Sequence, residues 1–238
     1  MEKNTQEGHL HIITQAVRDI SAIFDKMGFS VQAGPELETE FYNFDALGTP
    51  EDHPARDMQD TFWIKTKPGE EKKVLRTHTS SVQVRFLESM KDNPKPFKII
   101  VPGKVFRNEA TDVTHEAQFF QVESLYMNKN VSMTELKGTL EKFFLEFIGP
   151  DAKIRFRPSF FSFVEPGVEV DVWWKDRWLE IFGAGLVHPD VFKSVGIDPK
   201  EWKGFAFGGG IDRLIMLRYG IDDIRHLYTG DLRLINQF

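Results

Sequence analysis

Two charged clusters in this sequence have a spacing that suits chemistry on a phosphate. Arg107 and Glu109 stand two residues apart after a strand-like run, and Phe119, Gln121 and Glu123 repeat that period on the returning segment. If both strands continue, each set lies on one sheet face. A guanidinium at Arg107 offers a fork for a carboxylate or an α-phosphate, while Glu109 can accept from an adenine amino group or a ribose. Gln121 and Glu123 suit a protonated amino group, and Phe119 suits a base. His115, in the connecting loop, is placed to contact outer phosphates. Read alone, the same charges also fit a solvated hairpin.

A second cluster lies near the C-terminus, where Gly208-Gly209-Gly210 runs into Ile211-Asp212-Arg213. Adjacent glycines allow close backbone approach and unusual dihedrals beside a ligand, or simply close strand–helix packing. No Lys-Ser/Thr follows them and no βαβ unit surrounds them, which excludes a Walker A loop and a Rossmann fingerprint. Arg213 falls in the first helical turn, an unfavourable end of the dipole for a cation. It can stack on a base or grip phosphate there, or pair with Asp212 or Asp222. Thr77-His78-Thr79-Ser80 adds donors at a helix start, where Thr79 or Ser80 can equally serve as caps. No G-x-S-x-G elbow or Ser–His–Asp spacing is present. The chemistry that fits the converging groups is in-line attack of an amino acid carboxylate on the ATP α-phosphate, which needs positive charge rather than a protein nucleophile.

The elements that must hold these groups follow from periodicity. Leu10, Ile13, Val17, Ile20, Phe24 and Met27 predict an amphipathic helix ended by Gly28. A short strand at 29–31, a polar loop at 51–60, a strand at 61–64, a charged turn at 65–73 and a helix from Thr79 come next. Strand character at 97–101 resumes after Pro102-Gly103 and returns at 119–127, making a long hairpin. A helix is expected at 133–148, strands at 154–164, 168–174 and 178–181, a strand at 205–207 and a helix at 211–219. This is α+β patterning, a mostly antiparallel sheet flanked by helices, without regular βαβ alternation. No repeat or linker divides it, so residues 1–238 read as one domain.

Composition narrows the class further. The chain has no Cys, excluding disulfides and thiolate zinc, and its seven His form no H-E-x-x-H motif. The polar stretch Met1–His11 lacks a signal pattern, and no apolar run approaches the ~20 residues of a membrane span. A soluble cytoplasmic protein with no membrane partner is the expectation. A net charge of −6 argues against a broad nucleic-acid surface, though not against a local basic patch. The 22 Phe fit a phenylalanine-rich core or, in part, an aromatic ligand pocket.

Taken as an ordered set, these segments resemble the α subunit of bacterial phenylalanyl-tRNA synthetase over about Gly8 to Phe238. Arg107–Glu109 with Phe119–Glu123 looks like class II motif 2, Gly208–Arg213 like motif 3, and the first helix with Gly34-Pro35-Glu36 like motif 1. Further stretches join them: 43–47, 53–57, 60–63, 76–80 and 161–166. The resemblance implies a class II synthetase core that forms phenylalanyl-adenylate from ATP and L-phenylalanine with Mg2+ and transfers phenylalanine to tRNA(Phe). It implies a β subunit in an (αβ)2 heterotetramer. By the same carry-over, Arg107 holds the α-phosphate, Glu109 contacts adenine between Phe119 and Arg213, and His115 touches phosphates, with Gly208 and Gly210 beside the nucleotide. Gln121 and Glu123 hold the ammonium, while Trp63, His78, Ser80 and Gln83 shape the amino acid side. Phe161 and Phe163 pack on the substrate ring, Val164 and Ala206 floor the pocket, and Glu165 is a metal ligand.

Three departures accompany the match. Ser162 stands where the family pattern has proline, Asp212 where it has Glu, and the resemblance begins almost at Met1, so the family's N-terminal coiled-coil arm is expected to be missing from this sequence. Two rival functions remain at this stage: a stand-alone adenylating protein with another acceptor, and a non-catalytic class II binding module.

Overall fold

The computed structural model describes residues 8–57, 60–113 and 115–238; the start of the Met1–His11 stretch, part of the 51–60 loop and Thr114 lie outside them. Helix α1 (Ile12–Asp25) leads into β1 (Ser30–Val31), β2 (Leu37–Thr39) and α2 (Glu40–Asn43). After 3-10 turns at Asp45–Leu47 and Pro54–Arg56 come β3 (Lys73–Leu75) and α3 (Ser80–Ser89). The long hairpin is β4 (Phe97–Phe106) and β5 (Gln118–Asn128), followed by α4 (Met133–Phe147). Strands β6 (Ile154–Phe161), β7 (Val164–Trp174) and β8 (Arg177–Val187) form a meander that ends in α5 (Pro189–Ser194). Strand β9 (Lys203–Gly210) runs directly into α6 (Ile211–Tyr219), and a short α7 (Leu232–Ile235) lies near the C-terminus.

Seven strands make the main sheet in the order β1-β4-β5-β9-β8-β7-β6, while β2 and β3 pair separately. Every pairing in the main sheet is antiparallel except β1 with β4. The α+β expectation therefore holds. One sheet face carries α1, α4 and α6 over a core that includes Ile20, Phe24, Phe143, Phe182 and Leu214. The alternate residues of the same strands, among them Ile99, Leu125 and Ala206, face a smaller core under α3, α5 and the Asp45–Leu47 turn. Beside that smaller core the sheet face stays open.

Local chemistry explains the element ends. Gly28 adopts φ 82° after α1, where Phe29 N–H bonds Phe24 O and Gly28 N–H bonds Asp25 O. That is a Schellman stop, which the glycine makes sterically free. The buried face of α1 is Ile12, Ile13, Ala16, Ile20, Ile23 and Phe24. Leu10 precedes the helix and is exposed, so the predicted stripe began one turn too early. Ser132 and Glu135 form a reciprocal capping box on α4.

Three other expectations shift. Residues 61–64 contribute only an isolated bridge, Trp63 to Val74, and the strand forms instead at β3, which begins at the last residue of the expected turn. Strand β4 runs unbroken through Pro102-Gly103. Strand β1 covers only Ile99 and Ile100, leaving the rest of β4 at an edge that tolerates proline. The three glycines belong to β9, and none has a positive φ. They serve close packing rather than unusual dihedrals. A one-residue register shift in β8 sets Glu180 opposite Asp171 while Phe182 stays opposite Val170, leaving Ile181 as the extra residue.

Candidate active site

The open face of the sheet holds a cavity of about 450 Å³ lined by residues from α3, β5, β6, β8, β9 and α6 and from the segments between and after them. Strand pairing accounts for the convergence. Glu123 on β5 lies beside Gly208 on β9, which lies beside Gly183 on β8; Leu125, Ala206 and Gly185 form the next row. A Cβ at Gly208 would collide with the Glu123 side chain, and one at Gly183 would lie 2.9 Å from Phe161 Cζ. The small residues are a floor over which larger side chains lie flat.

The hairpin β4–β5 brings Arg107, Glu109, Phe119, Gln121 and Glu123 into this cavity. Arg107 lies just past β4, where its N–H bonds Ala117 O and its Nε donates to Thr77 O at 3.2 Å. Its guanidinium carbon stands 5.0 Å from the Phe119 ring centroid. Burial lowers the Arg107 pKa, opposed by the Glu109 and Glu123 carboxylates. A partly desolvated arginine of this kind gains more than an exposed one from a bound anion.

Glu123 is buried, and burial pushes its carboxyl up to about 7 against bonds that favour its ionised form. Those bonds come from the Ser80 hydroxyl, from Thr79 N–H at 3.3 Å and from Gln83 Nε2 at 3.2 Å. Ser80 thus serves Glu123, and neither Ser80 nor Thr79 caps α3 through its side chain. One turn of strand away, the Gln121 amide oxygen is buried without a hydrogen-bond partner. An unsatisfied acceptor next to a buried carboxylate is a receptor for a multi-proton donor such as an ammonium. His78 is held neutral, its pKa brought down to about 4 by burial and the Arg107 charge. Its Nε2 lies 2.9 Å from Asn43 O, which assigns the proton to Nε2 and leaves Nδ1 as an acceptor.

On the opposite wall, Arg213 lines the cavity from the first turn of α6, and its Nη1 donates to Glu180 O at 3.1 Å. Neither suggested ion pair forms. Asp212 is buried, accepting from Phe120 N–H at 3.2 Å and from the Tyr228 hydroxyl at 2.9 Å, while Asp222 pairs with Lys175. Burial pushes the Asp212 carboxyl up to about 7. His115 sits at the rim with Nδ1 3.0 Å from Asp112.

The aromatic end of the cavity is made by Phe161 and Phe163, with ring centroids 5.9 Å apart, above Ala206. Gly208 and Gly210 also line it. Val164 is buried behind the rings rather than facing the cavity. Trp63 is not brought to the lining; it stacks on Phe44 and its Nε1 donates to Arg56 O at 3.0 Å. Glu165 also stands apart, largely exposed and 3.5 Å from His188 Nε2. Among the described residues no three His, Asp or Glu side chains cluster as a metal cage.

Sequence reasoning missed Glu180 and the Gly183/Gly185 floor. The Gly183-Ala184-Gly185 run was a usable signal, because two glycines at period two mark one denuded strand face. Glu180 gave no such signal, since the extra residue at Ile181 reverses the alternation between it and Phe182.

The family described as "tRNA synthetases class II core domain (F)" matches residues 1–238. The chain is similar to the phenylalanine--tRNA ligase alpha subunit of Bacillus subtilis, 50% identical over 243 residues, covering 97% of this chain and 69% of the relative. The same-named proteins of Bacillus pumilus and Chlorobium limicola are 51% and 50% identical, covering 97% of this chain and 69% and 70% of their own lengths. No helix among the described residues is long and apolar enough to cross a membrane. With geometry, family match and relatives in agreement, this chain belongs to the class II tRNA synthetase core family of the (F) type.

Proposed function

We propose that the chain is a phenylalanine--tRNA ligase alpha subunit, forming phenylalanyl-adenylate from ATP and L-phenylalanine and passing phenylalanine to tRNA(Phe) in the cytoplasm. One observation carries the reading: phosphate-type cations, ammonium-type acceptors and a phenyl-sized aromatic end line the same cavity. In the first step a phenylalanine carboxylate oxygen bonds the α-phosphorus as the bond to pyrophosphate breaks. Arg107 steadies the α-phosphate, and His115 and Arg213, which line the same cavity, are assigned to the outer phosphates and the base. Glu109 and Phe119 take the adenine. Ionised Glu123 and the Gln121 oxygen hold the ammonium and so aim the carboxylate, a task of orientation and charge rather than of a protein base. In the second step a ribose hydroxyl of tRNA bonds the carbonyl carbon and AMP leaves.

The described residues do not by themselves fit a magnesium ion. One arriving with ATP would take phosphate oxygens and waters as most of its ligands, beside carboxylates such as Glu180. Bound magnesium would neutralise phosphate charge. The relatives' name, alpha subunit, supports a β partner, which we place in an (αβ)2 heterotetramer. The test is ATP–pyrophosphate exchange across the amino acids, using the chain with a co-expressed β subunit. Phenylalanine-dependent exchange is expected; exchange with another amino acid, or none, overturns the reading. Exchange without charging of tRNA would favour a different acceptor.

A further inference from the structure

We propose that Ser162 is a specificity-positioning residue, whose hydroxyl ties the loop carrying the aromatic rings to the Leu47 carbonyl and thereby sets how closely the pocket fits a phenyl side chain. The inference rests on the reading of Phe161 and Phe163 as that pocket.

Strand β6 ends at Phe161 and β7 begins at Val164, which pair directly, so Ser162 and Phe163 are the two central residues of a tight hairpin. Neither has a positive φ. The turn is therefore not one of the primed types whose twist matches the flanking strands, and it needs support from elsewhere. Packing on its outer side gives none, since the register shifts between Ser159 and Phe161 and Phe160 is 88% exposed. Support comes instead from the other direction. His188 N–H bonds Phe163 O at 2.9 Å, and the Ser162 hydroxyl donates to Leu47 O at 3.0 Å.

The acceptor end is rigid. Leu47 is buried and closes the Asp45–Leu47 turn. That turn is fastened by Arg56 to Asp45 at 2.7 Å and by Ser194 Oγ to Ala46 O at 3.3 Å. Just upstream, Asn43 bonds the Thr77 hydroxyl at 3.0 Å and accepts from Thr77 N–H at 3.2 Å. Ser162 thus connects a tip with little support of its own to a strap fixed on three sides. Phe161 already lies against Gly183 with no spare room beneath it. Freedom at the tip is then freedom of the rings to move outward, which lengthens the pocket along the axis of a para substituent. The phosphate end hangs on other elements and is unaffected.

The test uses the full chain with its co-expressed β subunit. Titration calorimetry measures L-phenylalanine and 4-chlorophenylalanine binding, and exchange kinetics give KM for phenylalanine and for ATP. Ser162→Ala should raise the phenylalanine Kd about three- to tenfold, the size of one lost hydrogen bond. It should also move preference towards 4-chlorophenylalanine by a similar factor, with KM for ATP unchanged. Ser162→Pro lacks the hydroxyl but stiffens the first central position of the turn, where proline is favoured. It should restore wild-type affinity and preference. Wild-type values in Ser162→Ala, a matching change in KM for ATP, or a Ser162→Pro protein that behaves like Ser162→Ala would each overturn the proposal. Failure of the wild-type protein to bind phenylalanine would instead remove the pocket reading on which it stands.

Discussion

The two faces of the main sheet use the same residue type for different ends. On the helical face, Phe143 stacks on Phe24 at 4.8 Å, Phe147 at 5.6 Å and Phe182 at 5.8 Å, and all four rings are buried. On the open face, Phe161 and Phe163 contact one another, rest one side on the smaller core and on Gly183, and turn another to the cavity. Strand alternation sorts the two groups: Phe205 and Phe207 point to the helices while Ala206 between them points to the cavity. The difference teaches that phenylalanine content alone says little. A ring backed by other rings contributes stability, whereas a ring backed by glycine is free to serve a ligand.

Mutations should separate the faces cleanly. Phe143→Ala should cost about 3–5 kcal/mol and lower Tm by about 6–20 °C in calorimetry. Phe161→Ala should move Tm far less yet abolish phenylalanine selectivity in exchange. Equal Tm losses would break the comparison. Next in size, Arg107→Ala should reduce kcat/KM by roughly 10²–10³, as expected for loss of a charge aimed at the reacting group. Retained exchange in that variant would show that the open face is not where the phosphate reacts.

A pH series sharpens the contrast, because Glu123 should make stability and binding move in opposite directions. Its folded pKa of about 7 lies above the ordinary 4.5. The stability tied to its neutral form is complete below pH 4.5 and is lost as pH rises through 7. Ammonium binding needs the carboxylate, so phenylalanine affinity should rise over that same interval, towards tenfold per unit at its steepest. Glu123→Gln should therefore be more stable than wild type at pH 8 and equal to it near pH 4, while binding phenylalanine poorly throughout. Denaturant titrations at both pH values would expose a contrary sign. Smallest of all, Ala206→Gly should improve the use of para-substituted phenylalanines by about tenfold or less while leaving KM for ATP alone, since one methyl group is removed. An unchanged substrate preference would move the pocket floor elsewhere.

Much of this was legible in the residues. Helix α4, the β4–β5 hairpin and the glycines before Arg213 all announce themselves through period or punctuation. The period-two set Phe119, Gln121 and Glu123 implies one shared face, and all three line the cavity. What stayed hidden depends on contacts distant in sequence. The strand of residues 61–64 failed because Trp63 turns to Phe44 and Arg56 instead of extending a ladder. The Thr79–Ser80 pair gave a cap signature, yet Ser80 bonds Glu123, 43 positions away. No local pattern encodes a partner at that distance.

The extra residue in β8 has one more consequence, for length rather than composition. Upstream of Ile181, even-numbered Trp178 and Glu180 share the open side; downstream, odd-numbered Gly183 and Gly185 do. Gly209 is bare for the same reason, since any side chain there would strike the Ile181 carbonyl. Substitution at Ile181 keeps this change of frame. Deletion would remove the bulge and leave Phe182 opposite Val170 and Glu180 opposite Asp171 as consecutive pairs, so each side chain would keep its side and the helical core would lose only the buried Ile181. In this strand, then, the residue at the bulge fills the core without setting the direction of its neighbours, whereas loss of any paired residue would turn one half of the strand over.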